Sequence, residues 1–246
     1  MTNKLCISLV SHGHGVMVQE LVAQLLKFDL ISQIILTINI PEEFPVVSDA
    51  RLKIIRNSAP KGFGRNHNDA FAMSDCEYFC VLNPDIVFVD NPFPTLLSEF
   101  NEQSVGLVAP IVLSNNGSIE DSMRRFLTPW SMFKRVMNKD SGAYVFQQGD
   151  SNLWPDWVAG MFMLFSSEAY SRVGGFDEKY FMYCEDADIC TRLWKSGYKI
   201  IGCLSARVIH NAQRASHRSF KHLSWHIRSM ARYFLSHSFS LPSKAE

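Results

Sequence analysis

Four short, largely apolar runs divide the first hundred residues: LCISLV (5–10), IILTI (34–38), LKIIR (52–56) and YFCVL (78–82). Each is too short for a buried helix and lacks the alternation of a strand with one wet face, which leaves strands covered on both sides. After the first run, Val18, Leu21, Val22, Leu25 and Leu26 recur at helical spacing over Met17–Phe28. Before the fourth, the turn KGFGRNHNDAF opens a second expected helix that ends near Met73. Strands alternating with helices form βαβ units and a parallel sheet. Ligands of such sheets bind beyond the carboxyl ends of the strands. In this chain that edge carries Ser11–Gly15, Asn39 and Asn83–Asp85.

The second half is less regular. VGLVAPIVL (105–113) reads as a strand, WVAGMFMLF (157–165) as a central strand, and SSEAYSRVGGF as a short helix closed by glycines. Residues 114–152 are polar and carry no clear period, so a mobile loop is expected around NKDSGAY. With 246 residues, 47% of them hydrophobic, the chain can bury one large core, and no linker is long enough to separate two domains. The formal net charge of zero argues against a general nucleic-acid binder. The charge is unevenly spread, however: from Arg207 onward there are seven Lys/Arg, five of the eight His and one acid. A basic tail on an acidic body suits a negatively charged surface as partner. Six cysteines without CxxC or zinc-ribbon spacing are expected to be buried, reduced thiols of a cytoplasmic protein. The N-terminal apolar run is too short for a signal peptide, and the longest apolar stretch covers about half a membrane span.

Three segments could carry chemistry. In LNPDI, Asp85 follows a buried strand, where it either closes an Asx turn or holds a divalent cation against a diphosphate. GFGRNHNDA places Gly62 and Gly64 before a helix, with Arg65 and Asn68 following. It is a phosphate-binding turn or a plain loop-to-helix turn, and it matches neither GxGxxG nor a Walker loop. EDADICTRLWKSG reads as a helix of about ten residues closed by Gly197, with Glu185, Asp186 and Asp188 in its first turn. Acids there complement the helix dipole, but their place after the aromatic loop GGFDEKYFMYC favours a catalytic use. Asp188 is expected to cap the helix or face solvent. In the tail, Phe220, Leu223, Ile227, Met230 and Phe234 share one helical face and Lys221, Trp225, Arg228 and Arg232 another. A tail helix of this kind, over 216–236, either packs on the core by its apolar face or lies on an anionic membrane.

Taken in order, ISLVSHGHG, GFGRNHNDA, LNPDI and VGGFDEKYFMYCEDADICTRLWKSGYKI resemble a family 2 glycosyltransferase of the GT-A type, most similar to bacterial O-antigen rhamnosyltransferases. The resemblance runs from about residue 5 to His210 and implies an α/β fold with a mixed, mainly parallel sheet flanked by helices. Residues 1–210 would form the GT-A domain, and 211–246 a basic amphipathic helical tail packed on it. By position, Asp85 would end an Asp-x-Asp-type motif whose first place is Asn83, and with His210 it would hold Mg²⁺ or Mn²⁺. Asp186 would be the catalytic base with Glu185 beside it, and Glu185 and Trp157 would meet the acceptor. Ser11, His12, Gly13, Asn39, Gly64, Arg65, Asn68 and Asn83 would contact the nucleotide-sugar. One departure is that TINIPEE stands where relatives often carry Asp-Asn, so that Ile38 precedes Asn39.

The expected reaction is transfer of L-rhamnose from dTDP-rhamnose, with inversion, to a saccharide on a polyprenyl diphosphate. The setting would be O-antigen or polysaccharide assembly at the inner face of the cytoplasmic membrane, with the tail on the anionic surface. A UDP-hexose donor, a nucleotidyltransferase and a non-catalytic sugar-binding relative are the alternatives. The nucleotidyltransferase would need a Gly-rich loop with Lys/Arg after the first strand, where this chain has SHGHG.

Overall fold

The computed structural model describes residues 4–45, 47–137, 142–147, 150, 152–211, 220–237 and 241–242. The four apolar runs become β1 (Leu5–Ser11), β2 (Ile31–Ile38), β3 (Leu52–Arg56) and β4 (Tyr78–Leu82), with α1 (Val16–Leu25) after β1 and α2 (Phe63–Phe71) before β4. There follow β5 (Ile86–Val87), α3 (Phe93–Ser98), β6 (Val105–Ser114), β7 (Met123–Arg124) and α4 (Pro129–Val136). The chain continues with β8 (Trp157–Val158), β9 (Phe162–Ser166), α5 (Ser167–Arg172), α6 (Glu185–Lys195), β10 (Lys199–His210) and α7 (Phe220–His237).

Eight strands form one mixed sheet in the order β3-β2-β1-β4-β9-β6-β10-β5. β1, β2, β3 and β4 run parallel, as do β6 and β10, while β9 runs antiparallel to both β4 and β6. Along β1, Leu5, Ile7 and Leu9 face α1 and α3, whose Val18, Leu21, Val22, Leu25, Phe93 and Leu96 complete one core. Cys6 faces the other side, where Ala70 of α2, Tyr170 of α5 and Ile189 and Leu193 of α6 complete a second. Helices on both faces explain why β1, β2 and β4 run apolar without alternation, whereas β3, expected to be covered on both sides, is the edge strand and leaves Lys53, Ile54 and Arg56 exposed. All six cysteines are free and buried. Among the described residues, no helix is long and apolar enough to cross a membrane.

Three further expectations change. The run 157–165 is not one strand. Trp157 and Val158 pair with β7 in a separate two-stranded ribbon, and the chain turns at Ala159–Met161 before β9 enters the main sheet. The polar stretch 114–152 contains β7 and the helix α4, and 138–141 of the expected mobile loop lie outside the described residues.

The third change concerns α7, which packs on α6 by a polar face. Ser229 donates to the Met182 carbonyl, and Tyr233 shares a 2.8 Å hydrogen bond with Thr191. His237 meets Asp188 at 2.8 Å, and Arg232 pairs with Asp177 at 2.6 Å. Ser229, Tyr233 and His237 are buried, whereas Leu223 and Ile227 of the expected core-facing side are exposed and Met230 and Phe234 of that side pack against the second core. Asp188 therefore neither caps α6 nor faces solvent; it is 3% exposed and anchors the tail. Of the tail expected over 216–236, residues 216–219 lie outside the described residues.

Candidate active site

The donor edge is built where β1, β2 and β4 end. Beyond β1, the SHGHG turn winds back on itself: His14 N–H donates to Ser11 Oγ and His12 N–H to His14 Nδ1. Gly13, at φ +80°, and Gly15 point their N–H groups at the two oxygens of Glu42, at 3.3 and 3.0 Å. Burial works to raise the Glu42 carboxyl, but hydrogen bonds from Ser11, Gly15 and Gly13 hold it below its ordinary value.

Beyond β2, Asn39 is buried in a web of amides. Its Oδ1 accepts from Asn57 Nδ2 and Lys61 N–H, both at 2.9 Å, and its Nδ2 donates to the Lys61 carbonyl and to His12 Nδ1. Asn57 also donates to Asn66, whose own amide reaches the carbonyls of Lys61 and Gly62. The web fixes the loop that leads into α2. Gln, one methylene longer, would displace it at any of the three positions.

The GFGRNHND motif turns away from the donor edge and holds the aromatic loop before α6. An added Cβ on Gly64 would lie 2.6 Å from Phe176 Cβ, and one on Gly62 would lie 2.7 Å from the Phe181 carbonyl oxygen, so glycine is what lets the two segments touch. Phe63 N–H donates to that same carbonyl. Asn68 is fully engaged, donating to the Phe176 carbonyl and Glu178 and accepting from Tyr170 OH and Phe176 N–H. Arg65 pairs with Asp69 and Glu178. Gly64, Arg65 and Asn68, expected to contact the nucleotide, thus meet protein groups in this structure. Their hydrogen-bonding and packing capacity goes to the loop 174–181.

That loop delivers the carboxylates. Tyr183 and Cys184 both adopt left-handed backbone, at φ 75° and 62°. Non-glycine residues there cost about 1–3 kcal/mol each, and such strain collects at functional sites. The strained pair turns the chain straight into α6 with Glu185 and Asp186 at its first turn. Asp186 is half-buried, with Oδ2 accepting from Gly160 N–H at 3.1 Å and Oδ1 from Ala187 N–H at 2.8 Å. Glu185 is 6% exposed, and its buried Oε2 has no hydrogen-bond partner. Burial, then the charge of Asp186, pushes the Glu185 carboxyl up to about 8. Burial also raises Asp186, opposed by the Ala187 and Gly160 N–H groups. The pair as a whole therefore holds a proton more strongly than two free carboxyls would.

Both carboxylates line a cleft of about 470 Å³ whose walls include Trp157, Arg124, Met132 of α4 and His226 and Met230 of α7. Trp157 is fixed by its Nε1–H donated to the Arg125 carbonyl, and the Arg124 guanidinium, paired with Asp121, lies 5.4 Å from the ring centroid. The cleft is joined to the donor edge through one turn. Gly160 holds Asp186, and the neighbouring Met161 carbonyl accepts from Asn83 N–H at 2.9 Å.

Two residues past Asn83, Asp85 Oδ2 meets His210 Nε2 at 3.0 Å, and Glu120 Oε2 meets His210 Nδ1 at 2.8 Å. The hydrogen bond that His210 donates to Asp85, outweighing burial, helps raise His210 to about 9. Asp85 Oδ1 is buried with no hydrogen-bond partner. An orphaned carboxylate oxygen beside an imidazole fits a hard divalent cation that keeps its other positions for diphosphate and water. No group of three or more His, Cys, Asp or Glu side chains able to hold a metal ion occurs among the described residues. The residues that sequence reasoning missed here are Glu42, Asn57, Glu120, Arg124 and His226. Of these, Glu42, in the PEE that follows Asn39, and His226, inside the tail helix, stood in or beside segments already singled out.

The family model described as glycosyl transferase family 2 matches residues 37–166, and one described as N-terminal domain of galactosyltransferase matches 144–222. The rhamnosyltransferase WbbL of Escherichia coli is 33% identical over 186 residues, 70% of this chain and 69% of the relative. An N-acetylglucosaminyl-diphospho-decaprenol L-rhamnosyltransferase of Mycobacterium tuberculosis is 29% identical over 166 residues, 62% of this chain and 53% of the relative. Among solved structures, GalNAc-T7 with UDP, GalNAc and Mn²⁺ superposes with a TM-score of 0.72 at 13% identity, over 95% of this chain and 48% of the other. Mannosyltransferase PcManGT of Pyrobaculum calidifontis, in complex with GDP-Man and Mn²⁺, gives 0.61 at 12% identity, over 98% of this chain and 65% of the other. The chain thus spans about half the length of the mycobacterial relative and of the GalNAc-T7 chain.

Proposed function

The chain belongs to glycosyl transferase family 2 and is a glycosyltransferase with the GT-A fold, and from that premise we propose that it transfers L-rhamnose from dTDP-rhamnose, with inversion, to a saccharide carried on a polyprenyl diphosphate. The single observation that carries the mechanism is Asp186: a carboxyl on the wall of a cleft, with each oxygen held by a backbone N–H. Asp186 takes the proton of the acceptor hydroxyl as that oxygen bonds to the anomeric carbon. The bond from that carbon to the diphosphate oxygen breaks with its electron pair, and dTDP leaves. Fixing the carboxylate by two N–H groups removes the cost of orienting it during reaction. With burial pushing Glu185 up to about 8, Asp186 is the carboxyl given the role of base, and one base suits single displacement with inversion. Glu185 would donate to an acceptor hydroxyl, and Trp157 would form the apolar wall on which the acceptor ring rests.

Asp85 and His210 would hold Mg²⁺ or Mn²⁺, whose chemistry is to neutralise charge gathering on the leaving diphosphate. The donor itself would lie along Ser11, His12, Gly13, Asn39 and Asn83. The rhamnosyl donor and lipid-linked acceptor come from the names of the relatives and are supported by the open, partly apolar cleft.

A peripheral seat on the membrane is supported by the two helices that flank the cleft. Trp130 and Phe133 of α4 stack at 5.6 Å and are both exposed, as are Leu223 and Ile227 of α7. Neither helix contains an acid, and together they hold five Lys/Arg. Apolar groups with cationic neighbours suit the interface of an anionic bilayer.

The test is a nucleotide-sugar panel followed by Asp186→Asn. dTDP and dTDP-rhamnose should raise the melting temperature. Asp186→Asn should bind dTDP as wild type does and lose transfer by about 10²–10⁴-fold. Stabilisation by UDP-sugars and not by dTDP would overturn the donor assignment, and near wild-type transfer by Asp186→Asn would overturn the base.

A further inference from the structure

We infer that Glu120 is a positioning residue for the cation site, setting the imidazole of His210 so that its Nε2 faces the place Asp85 shares with the ion. The inference rests on the cation site proposed above and concerns a residue that no sequence motif marks.

Both ends of the contact are pinned by backbone. His210 is the last residue of β10, in register with Ser114 of β6 on one side and Ile86 of β5 on the other. Glu120 lies just past the turn that follows β6. There Ile119 bridges back to Leu113, Glu120 N–H donates to the Val112 carbonyl at 2.8 Å, and Ser122 N–H donates to the Glu120 carbonyl. Glu120 is thus held against the strand that neighbours β10. From that position Oε2 reaches His210 Nδ1 at 2.8 Å.

An imidazole bonded at only one nitrogen can rotate or exchange tautomers. Held through Nδ1 by a carboxylate, it has one orientation, with Nε2 at the Asp85 oxygen 3.0 Å away. Asp85 is fixed as well, its carbonyl accepting from Asn211 N–H immediately after His210. A carboxylate on the far nitrogen of a metal-binding histidine fixes the ring and raises its strength as a ligand; loss of such partners costs about 10–100-fold in metal affinity. Sequence alone could not show this, because Glu120 stands 90 residues from His210.

The experiment titrates MnCl₂ into the full chain with saturating dTDP and reads free Mn²⁺ by electron paramagnetic resonance. Wild type, Glu120→Ala, Glu120→Gln, His210→Ala and the Glu120→Ala/His210→Ala double variant are compared, with circular dichroism and dTDP binding in EDTA as controls. Glu120→Ala should weaken Mn²⁺ by about 10–100-fold and leave metal-free dTDP binding unchanged. Glu120→Gln, which keeps the shape and an acceptor oxygen, should fall in between. In the His210→Ala background the second substitution should add less than about twofold, as expected when one residue acts through the other. With Mg²⁺, ¹⁵N shifts of His210 should show one tautomer in wild type and a mixture in Glu120→Ala, a change that mere loss of packing would not give. Mn²⁺ affinity in Glu120→Ala within twofold of wild type overturns the inference, as does equal weakening with and without His210. Should Glu120→Ala fail to fold, wild-type affinity in Glu120→Gln overturns it. If wild type binds no Mn²⁺ with dTDP or UDP, the cation site itself falls, and this inference with it.

Discussion

Replacing Asp188 should cost far more than its place in a row of acids suggests. Its carboxylate is 3% exposed, accepts from His237 Nε2 at 2.8 Å and from Arg192 Nε at 2.8 Å, and lies 3.5 Å from Tyr180 OH. Asp188→Ala takes the hydrogen-bond partner from a buried histidine and the counter-charge from a largely buried arginine. Breaking one partner of a buried pair costs about 3–5 kcal/mol. Asp188→Asn keeps the shape and one acceptor but drops the charge, so about 1.5–3 kcal/mol is expected, the worth of a hydrogen bond to a charged group. Against a total stability of about 5–15 kcal/mol, the alanine variant loses about a fifth or more. The control is Asp69→Asn. Asp69 pairs with Lys61 at 2.7 Å, but the two side chains are 27% and 38% exposed, so less than about 1 kcal/mol is at stake.

Urea denaturation followed by tryptophan fluorescence at pH 7 measures all three, with a shift in midpoint and little change in slope. His237→Ala should be costly in wild type and nearly free in the Asp188→Ala background. Because α7 carries His226 and Met230 into the cleft, the surviving Asp188→Asn enzyme should show a raised acceptor KM with unchanged dTDP binding. If Asp188→Ala costs under 1 kcal/mol, or no more than Asp69→Asn, the contact between α6 and α7 is not an energetic clamp and the reasoning fails.

Two further outcomes follow from the site. Burial raises the Glu185 carboxyl from 4.5 to about 8. The folded state therefore binds a proton that the unfolded state has lost, and this residue's contribution to stability falls as pH rises between those values. Glu185→Gln should match wild type near pH 4 and exceed it by a few kcal/mol by pH 9; a stability difference that does not grow with pH would show that Glu185 ionises freely. On the membrane, Leu223→Ser with Ile227→Ser should reduce sedimentation with vesicles of phosphatidylglycerol, and Arg228→Glu should make the residual binding less salt-sensitive. Arg232 is unsuited to that test because it pairs with Asp177. Binding that survives both changes would leave the exposed face of α7 without a lipid role.

The first half of the fold was legible because it repeats one physical pattern. A strand buried on both faces must be apolar throughout, and the turns beyond it must hold the polar groups, so LCISLV, IILTI and YFCVL announced both the sheet and its binding edge, whereas LKIIR, read the same way, is a half-exposed edge strand. The 157–165 run deceived for the same reason. It is apolar along its whole length, but Trp157 lines the cleft and Phe165 the core, and the turn between them depends on Gly160 meeting Asp186 at the start of α6. GFGRNHND was legible only in part. Glycines before a helix serve phosphate or close packing equally well, and the close packing here is on Phe176, more than a hundred residues away.

The tail shows where periodicity stops being evidence. Leu223 and Ile227 do share a helical face, and the ordinary rule turns such a face inward. What overrides the rule is the surface that α6 presents. Asp188, Thr191 and the Met182 carbonyl are buried polar groups that must be satisfied, and leaving them unpaired costs more than exposing two aliphatic side chains. Ser229, Tyr233 and His237, spaced four apart, meet those three groups, and the helix turns its aliphatic side out. The polar spacing was in the sequence, but its meaning required knowing that the EDAD segment points one acid into the cleft and another into the interior. Asp186 and Asp188 stand two residues apart on α6, about 200° around a helix, and that rotation separates the acid proposed to do chemistry from the acid that holds the tail.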